Sequence, residues 1–148
     1  MSNRAEASYA FTHHVRDRCL CLHVQRAARA LARRFDDALR PVGLTRGQFS
    51  LLTSLNRAEP PTMGSVANLL ALDRTTLTAN LKPLERRGLV KVVVDPNDRR
   101  SRRLILTAAG RASLAAAAPI WKREHARVER LLRTAGADVM RAGLRELS

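Results

Sequence analysis

The first part of the chain carries apolar residues at the period of a helix. Between Val15 and Arg40 they recur every three or four residues with arginines between them, and this spacing predicts one long amphipathic helix. The apolar positions are Leu20, Val24, Ala27, Leu31, Phe35 and Ala38. Pro41 and Gly43 follow, and they predict the end of this helix.

Three shorter helices are predicted next. Thr45 with Gln48 forms a capping box that begins one, residues 62–70 form another, and Asp73 is a favourable N-cap for the third. The inward stripe of the third helix is Leu77, Leu81 and Leu84, and Gly88 stands where a left-handed C-terminal residue is expected. Two helices joined by the short turn at residues 71–72 predict a helix-turn-helix.

A β-hairpin is predicted after these helices. Residues 89–94 are rich in β-branched side chains, residues 95–98 read as a turn, and residues 103–107 read as the returning strand. The basic segment between them, residues 99–102, is too strongly charged to be buried.

The chain ends in a second long helix and a short one. After Thr107 the apolar positions of the long helix follow steps close to a heptad, and His125 lies on the same seam. Pro119 is expected to bend this helix without ending it. These apolar positions are Leu114, Ala118, Trp121, Val128 and Leu132. Both long helices lie outside the compact central unit in sequence, so they pack on each other or on a second copy of the chain. Two-fold pairing is the commoner solution.

These elements predict one mainly α domain over residues 1–148, with about six helices and a small β-hairpin wing. The winged helix-turn-helix covers about residues 45–107, and the dimerisation helices cover about residues 15–42 and 108–148. A chain of 148 residues has room for one hydrophobic core.

Charge indicates the partner. Lysine and arginine number 27 against 13 acidic residues, which leaves a net charge of +14 and favours double-stranded DNA. No apolar run approaches the roughly 20 residues of a membrane span. The polar N-terminus lacks the apolar core of a secretory signal, so we expect a cytoplasmic protein that does not bind membranes.

The outer face of the third short helix carries small and basic side chains that suit a DNA groove. Threonine bonds either base type or touches a thymine methyl, and Lys82 and Arg86 are placed for phosphates. The predicted contacts are Arg74, Thr75, Thr76, Thr78, Lys82 and Arg86, with Arg99, Arg100 and Arg102 of the wing expected in a minor groove. Asp98 is expected to hold the turn by pairing with an arginine. Pro83 either curves the helix along the groove or is a tolerated kink.

The segment 70–90 with the turn Asp95, Pro96, Asp98 and Arg100 resembles the recognition helix and wing of the MarR family of bacterial regulators. The closing residues Leu106, Thr107 and Gly110 match as well. The resemblance implies a homodimer that binds a pseudo-palindromic operator, usually as a repressor. It also implies release by a small, often aromatic molecule in a cleft between the dimer helices and the DNA-binding lobe, with Arg100 as the wing-tip contact.

The two cysteines support an alternative, which is a thiol-based redox regulator acting through Cys21. One MarR branch, the organic-hydroperoxide sensors, has a reactive cysteine early in its first helix, where Cys21 falls. The tyrosines of that branch are replaced here by Gln25 and Phe35. Otherwise Cys21 is a small hydrophobe. On one continuous helix Cys19 and Cys21 point to opposite sides and do not bridge.

Other functional classes have weaker support in the sequence. The histidines His13, His14, His23 and His125 have no ligand spacing that predicts a metal site, and no cofactor is predicted. No strand-turn-helix nucleophile or glycine-rich phosphate loop indicates an enzyme. An architectural protein that binds DNA by charge alone, and an enzyme using the cysteine and histidine residues, remain as rivals.

Overall fold

A computed structural model describes residues 7–148. Within this range the chain forms seven α-helices and one two-stranded antiparallel sheet. The helices are α1 (Tyr9–Arg18), α2 (Leu20–Leu39), α3 (Arg46–Leu55), α4 (Met63–Leu69), α5 (Arg74–Arg86), α6 (Ala108–Glu129) and α7 (Ala137–Glu146). The strands are β1 (Val90–Asp95) and β2 (Asp98–Leu106), and a short 3₁₀ turn spans Arg40–Val42. The prediction of a mainly α fold with a hairpin wing is confirmed.

The described part of the chain divides into two compact units, one that ends at Arg34 and one over residues 35–148. In the first unit the prediction of one continuous helix is wrong, because Cys19 has an extended conformation with ψ of 109° and separates α1 from α2. Its Sγ accepts a hydrogen bond from the amide of Leu22, the third residue of α2, as an N-cap side chain does. The apolar periodicity of the sequence gives no sign of this break, which involves a single residue. The backbone N–H of Cys19 still donates to the carbonyl of Val15.

The second unit contains a core built mainly from leucines of α3, α5 and the sheet, with Val66 and Ala67 of α4. Leu39, Leu52, Leu77, Leu84 and Leu104 have no accessible surface. The predicted start signals are confirmed: Thr45 and Gln48 form the capping box of α3, and Asp73 caps α5. Thr62, predicted as the first residue of a helix, is the N-cap of α4. The predicted stops are confirmed by the left-handed backbone of Gly43 and Gly88, each with φ of 69°.

Strand β2 begins earlier than predicted. It starts at Asp98 rather than Arg103, and Asp95 pairs with Asp98, which leaves Pro96 and Asn97 as the tip. The next pair is Val94 with Arg102, so residues 99–101 form a bulge with no partner in β1. The apolar pattern missed this part of the strand because both faces of a wing tip lie in solvent.

Helix α6 packs on α3 within the second unit. The ring of Trp121 stacks on Phe49 of α3 with 6.1 Å between centroids. The most buried positions of α6 are Gly110, Ala117 and Glu124, seven residues apart, while the predicted seam through Leu114 and Trp121 is half-buried. Helix α6 runs through Pro119, as predicted. Among the described residues no helix has the length and apolar character needed to cross a membrane.

Candidate DNA-binding surface

The turn between α4 and α5 fixes where the predicted recognition helix begins. Ala71 adopts a left-handed conformation with φ of 52°, which redirects the chain after α4. Asp73 then caps α5, because its Oδ1 accepts from the Thr76 amide at 2.7 Å and its Oδ2 accepts from the Thr76 hydroxyl at 2.9 Å. These two bonds hold the pKa of Asp73 below its usual range. The start of α5 is therefore rigidly defined.

The buried side of α5 determines which side chains remain outside. Leu77, Leu81 and Leu84 are buried, so the opposite face of the helix is free for a partner. The structure places all nine predicted contact residues on exposed positions, with the first six on α5 and the other three on β2. They are Arg74, Thr75, Thr76, Thr78, Lys82, Arg86, Arg99, Arg100 and Arg102. Their contacts with DNA stay a prediction.

Two threonine hydroxyls on this face already have acceptors. Thr76 donates to Asp73, and Thr78 donates to the carbonyl oxygen of Arg74 at 2.8 Å. The hydroxyl of Thr75 has no hydrogen-bond partner among residues 7–148. The three threonines therefore differ in what they offer to a base edge, a distinction that the sequence did not show.

The base of the wing is held by one acidic side chain. Asp95 is buried and accepts from the Asn97 amide at 3.0 Å and from Arg103 Nε at 3.1 Å. Arg103 Nη1 also donates to the carbonyl of Pro60 at 2.8 Å. The amide of Leu104 donates to Pro61, and Thr62 forms a β-bridge with Arg103. Arg103 therefore anchors the wing to the loop before α4, a role hidden in the sequence by the neighbouring arginines.

The tip of the wing is braced by its own residues. Asp98 Oδ1 accepts from the backbone amide of Arg100 at 3.0 Å, so it holds the turn through that amide and not through the expected guanidinium pair. The Arg102 guanidinium bonds the carbonyls of Arg99 and Ser101 at 3.1 and 3.2 Å and thereby closes the bulge. Within the described part of the chain, the side chains of Arg99 and Arg100 have no polar partner. The structure thus separates two projecting arginines from one that supports them.

The junction of the wing and α6 explains the motif Leu106, Thr107 and Gly110. The hydroxyl of Thr107 lies 2.6 Å from the Gly88 carbonyl and 3.0 Å from the Leu89 carbonyl, and it accepts from the Gly110 amide at 3.0 Å. A Cβ on Gly110 would lie 2.1 Å from the Leu89 carbonyl oxygen. Only glycine fits where α6 crosses the strand.

One exposed polar residue of α5 was missed by the sequence reasoning. Asn80 lies beside the predicted face and lines a shallow cleft with the start of α3, including Thr45 and Arg46. The only available signal was an asparagine in the middle of a helix, where its propensity is poor. The amide of Arg46 is already bonded to Asp36 Oδ1 at 2.6 Å, so the α3 terminus carries an anionic partner.

The cysteines lie in the first unit. Cys21 is exposed, and Gln25 Nε2 donates to its Sγ at 3.0 Å, whereas Cys19 is half-buried. Cys19 and Cys21 do not lie on one continuous helix as expected, because the backbone at Cys19 is extended, so helix geometry does not keep their side chains on opposite sides. In the described range no group of three or more histidine, cysteine or acidic side chains is arranged to hold a metal. His125 stacks on Trp121 with centroids 4.5 Å apart.

Comparison with known proteins agrees with this geometry. A family model described as the MarR family matches residues 44–101. The transcriptional activatory protein BadR of Rhodopseudomonas palustris is 39% identical over 77 residues, which cover 50% of this chain and 44% of BadR. The transcriptional regulator MosR of M. tuberculosis, solved in complex with DNA, is 40% identical with a TM-score of 0.79, covering 87% of this chain and 92% of MosR. The repressor CouR, bound to a 23-mer DNA duplex, is 34% identical with a TM-score of 0.74, covering 90% and 92%.

Proposed function

Since the chain belongs to the MarR family of DNA-binding transcription regulators, we propose that it is a homodimeric repressor of a pseudo-palindromic operator. The observation that carries this proposal is the exposed face of α5 beside a braced, arginine-tipped wing. Such a pair reaches a major groove and the adjacent minor groove of one duplex. The nine residues named above are the proposed contacts, with Arg100 at the wing tip.

The proposal of a homodimer is supported by apolar side chains left in solvent at both ends of the chain. In the first unit Leu20 is 67% exposed, and on α7 Val139 and Leu147 are 68% and 63% exposed. A second copy of the chain would cover such faces, since closed two-fold assemblies are the commonest oligomers. We assign dimerisation to residues 15–42 and 108–148 and DNA binding to residues 45–107. Helix α6 then belongs to both regions, because it also packs on α3.

We propose repression and not activation because the similar protein that is matched over more of its length is a repressor. CouR is described as a repressor and matches over nearly its whole length, whereas BadR, described as an activatory protein, matches over less than half. Small effectors are known for such relatives: CouR of Rhodococcus jostii RHA1 was solved with p-coumaroyl-CoA, and 6-hydroxynicotinic acid regulates DNA binding by BpsR of Bordetella bronchiseptica. We therefore expect a small organic effector. Because the proposed partner is chromosomal DNA, we also expect the protein to act in the cytoplasm and to catalyse no reaction.

The test of this function is selection of binding sites from random duplex DNA. We expect enriched sites with two inverted half-sites about one helical turn apart. Binding of equal strength to all sequences at moderate salt would instead identify an architectural protein. A reporter gene placed behind the selected site should be expressed more strongly when the regulator is deleted, and weaker expression would identify an activator. Screening aromatic acids and acyl-CoA thioesters against the complex identifies the effector class.

Dimerisation is tested separately by sedimentation. Leu144, which is 43% exposed on α7, is changed to glutamate, and the neighbouring exposed Arg145 is changed to alanine as the control. The Leu144→Glu chain should sediment as a monomer with an unchanged helical spectrum and should bind a selected operator weakly. A dimer that survives Leu144→Glu would remove α7 from the proposed interface.

A second candidate function is redox regulation through Cys21. It rests on the exposure of the thiol and on the hydrogen bond that the side-chain amide of Gln25 donates to its sulfur. An organic hydroperoxide would oxidise the Cys21 sulfur to a sulfenic acid, transferring one oxygen atom and leaving as the alcohol. Operator affinity should then fall on peroxide treatment of the wild type and stay constant in Cys21→Ser, with Cys19→Ser as the matched control. Unchanged affinity of the oxidised wild type would contradict this candidate.

A further inference from the structure

We propose that α5 recognises its half-site mainly through thymine methyl groups, with Thr75, Thr76 and Ala79 as the contacting residues. This inference rests on the proposed function, because it presupposes specific binding by α5. It goes further because it names the group on the DNA bases that α5 recognises, which is the thymine methyl.

Two of the three threonine hydroxyls on this face of α5 are committed as donors, and that of Thr75 is not. Thr76 donates to Asp73 at 2.9 Å and Thr78 donates to the Arg74 carbonyl at 2.8 Å. With its proton engaged, each hydroxyl offers a base only lone pairs, and the rest of each side chain is a methyl group. Contact with base acceptors such as guanine O6 and N7 is therefore disfavoured at these two positions, whereas contact with a thymine methyl is not.

The outermost part of α5 consists of small side chains that each carry a methyl group. The buried stripe is centred on Leu77 and Leu81, and the helical period places Thr75 and Ala79 on the opposite side with Thr76 beside them. All three are exposed, and none carries a side chain longer than threonine. Such a face allows the helix to approach base edges closely, so that its methyl groups reach those of thymine.

The longer polar side chains occupy other parts of the helix. Lys82 and Arg86 lie about one and two helical turns beyond Ala79 and are placed for phosphates. Asn80 lines the cleft at the start of α3. Arg99 and Arg100 on the wing favour a narrow minor groove, which A·T-rich sequences provide. Both grooves therefore favour A·T pairs, the major groove through thymine methyls and the minor groove through its width.

The experiment uses the wild-type chain and a selected operator in which single thymines are replaced by deoxyuridine. This replacement removes one methyl group and changes no hydrogen-bonding group. Loss of a buried methyl contact should weaken binding about fourfold, and about sixteenfold when both half-sites are changed. If no position in the operator responds to deoxyuridine, the inference is wrong although specific binding stands. If the selection yields no specific site, the proposed function itself fails.

A matched pair of variants identifies the protein side of the contact. Thr76→Val keeps the methyl group and removes the hydroxyl, whereas Thr76→Ser does the reverse and keeps the bond to Asp73 possible. Thr76→Val should retain affinity for the thymine operator within about twofold, and Thr76→Ser should lose about fourfold and become insensitive to deoxyuridine. The opposite order would overturn the inference in favour of hydrogen bonding by the hydroxyl. Thermal melting of each variant checks that α5 is still folded.

Discussion

Ala71 has the only positive φ among the non-glycine residues of the described chain. A left-handed conformation brings Cβ close to the following carbonyl, and an alanine there is strained. We predict that Ala71→Gly raises the free energy of unfolding by about 0.5–1 kcal/mol, since relief of strain exceeds the added entropy of the unfolded chain. Urea denaturation measures this. As a control, Ala79→Gly within α5 should lower stability by about 1 kcal/mol, and equal losses in both variants would contradict the prediction.

Gly110 is constrained by space and not by its φ angle. A methyl group there would lie 2.1 Å from the Leu89 carbonyl oxygen and 2.6 Å from Leu106 Cδ1. Gly110→Ala should therefore lower the free energy of unfolding by about 1–3 kcal/mol through overpacking. Gly143 is the matched control, because a Cβ there meets nothing within 4 Å. Gly143→Ala should stabilise α7 by about 0.5–1 kcal/mol, and a loss of similar size at both glycines would refute this reading of Gly110.

At the scale of elements, the start of α5 depends on an ionised side chain. The pKa of Asp73 is lowered in the folded chain by the amide and hydroxyl of Thr76, while its usual value is 3.8. Its contribution is therefore fully present above that value and is lost as pH falls through the lower folded pKa. Relative to wild type, Asp73→Asn should be less stable at pH 7, and the difference should shrink toward pH 3. Urea unfolding at pH 7 and pH 3 tests this. A difference in the free energy of unfolding that does not change with pH would show that the charge of the Asp73 carboxylate does not stabilise α5.

The elements that were predicted correctly are those with local signals. Thr45, Asp73 and Gly88 mark helix ends through bonds within four residues, and such bonds can be read from sequence. The errors have non-local or patternless causes. The break at Cys19 leaves the apolar period unchanged, and the first residues of β2 are charged and exposed. The packing of α6 on α3 depends on a non-local contact, the stack of Trp121 on Phe49, and the sequence left it open.

The sequence predicted the positions of the candidate site and a DNA contact for each, but it did not show which wing residues support the others. Exposure of the nine residues follows from the leucine stripe and the turn, both of which are visible in the sequence. The distinction between Arg102, which braces the tip, and Arg100, which projects from it, depends on a bulge that no periodicity shows. The anchoring pair of Asp95 and Arg103 depends equally on the position of Pro60.

At the scale of the whole molecule, the net charge of +14 predicts DNA binding that depends strongly on salt. Arg100→Ala should weaken operator binding by about 1–3 kcal/mol and affect A·T-rich minor grooves most. Fluorescence anisotropy at several salt concentrations measures both effects. Arg123→Ala removes an exposed arginine on α6, which carries none of the nine proposed contacts, and should leave specific affinity nearly unchanged. An equal loss for the two variants would show that Arg100 contributes charge alone.

The stack of Phe49, Trp121 and His125 gives the molecule a built-in optical probe. Trp121 is the only tryptophan of the chain, so all indole emission arises where α6 meets α3. Any rearrangement that passes from the C-terminal helices to the DNA-reading lobe through this contact alters the surroundings of one fluorophore. The emission spectrum of the unlabelled protein therefore reports this movement in real time, without a dye and without an engineered reporter residue.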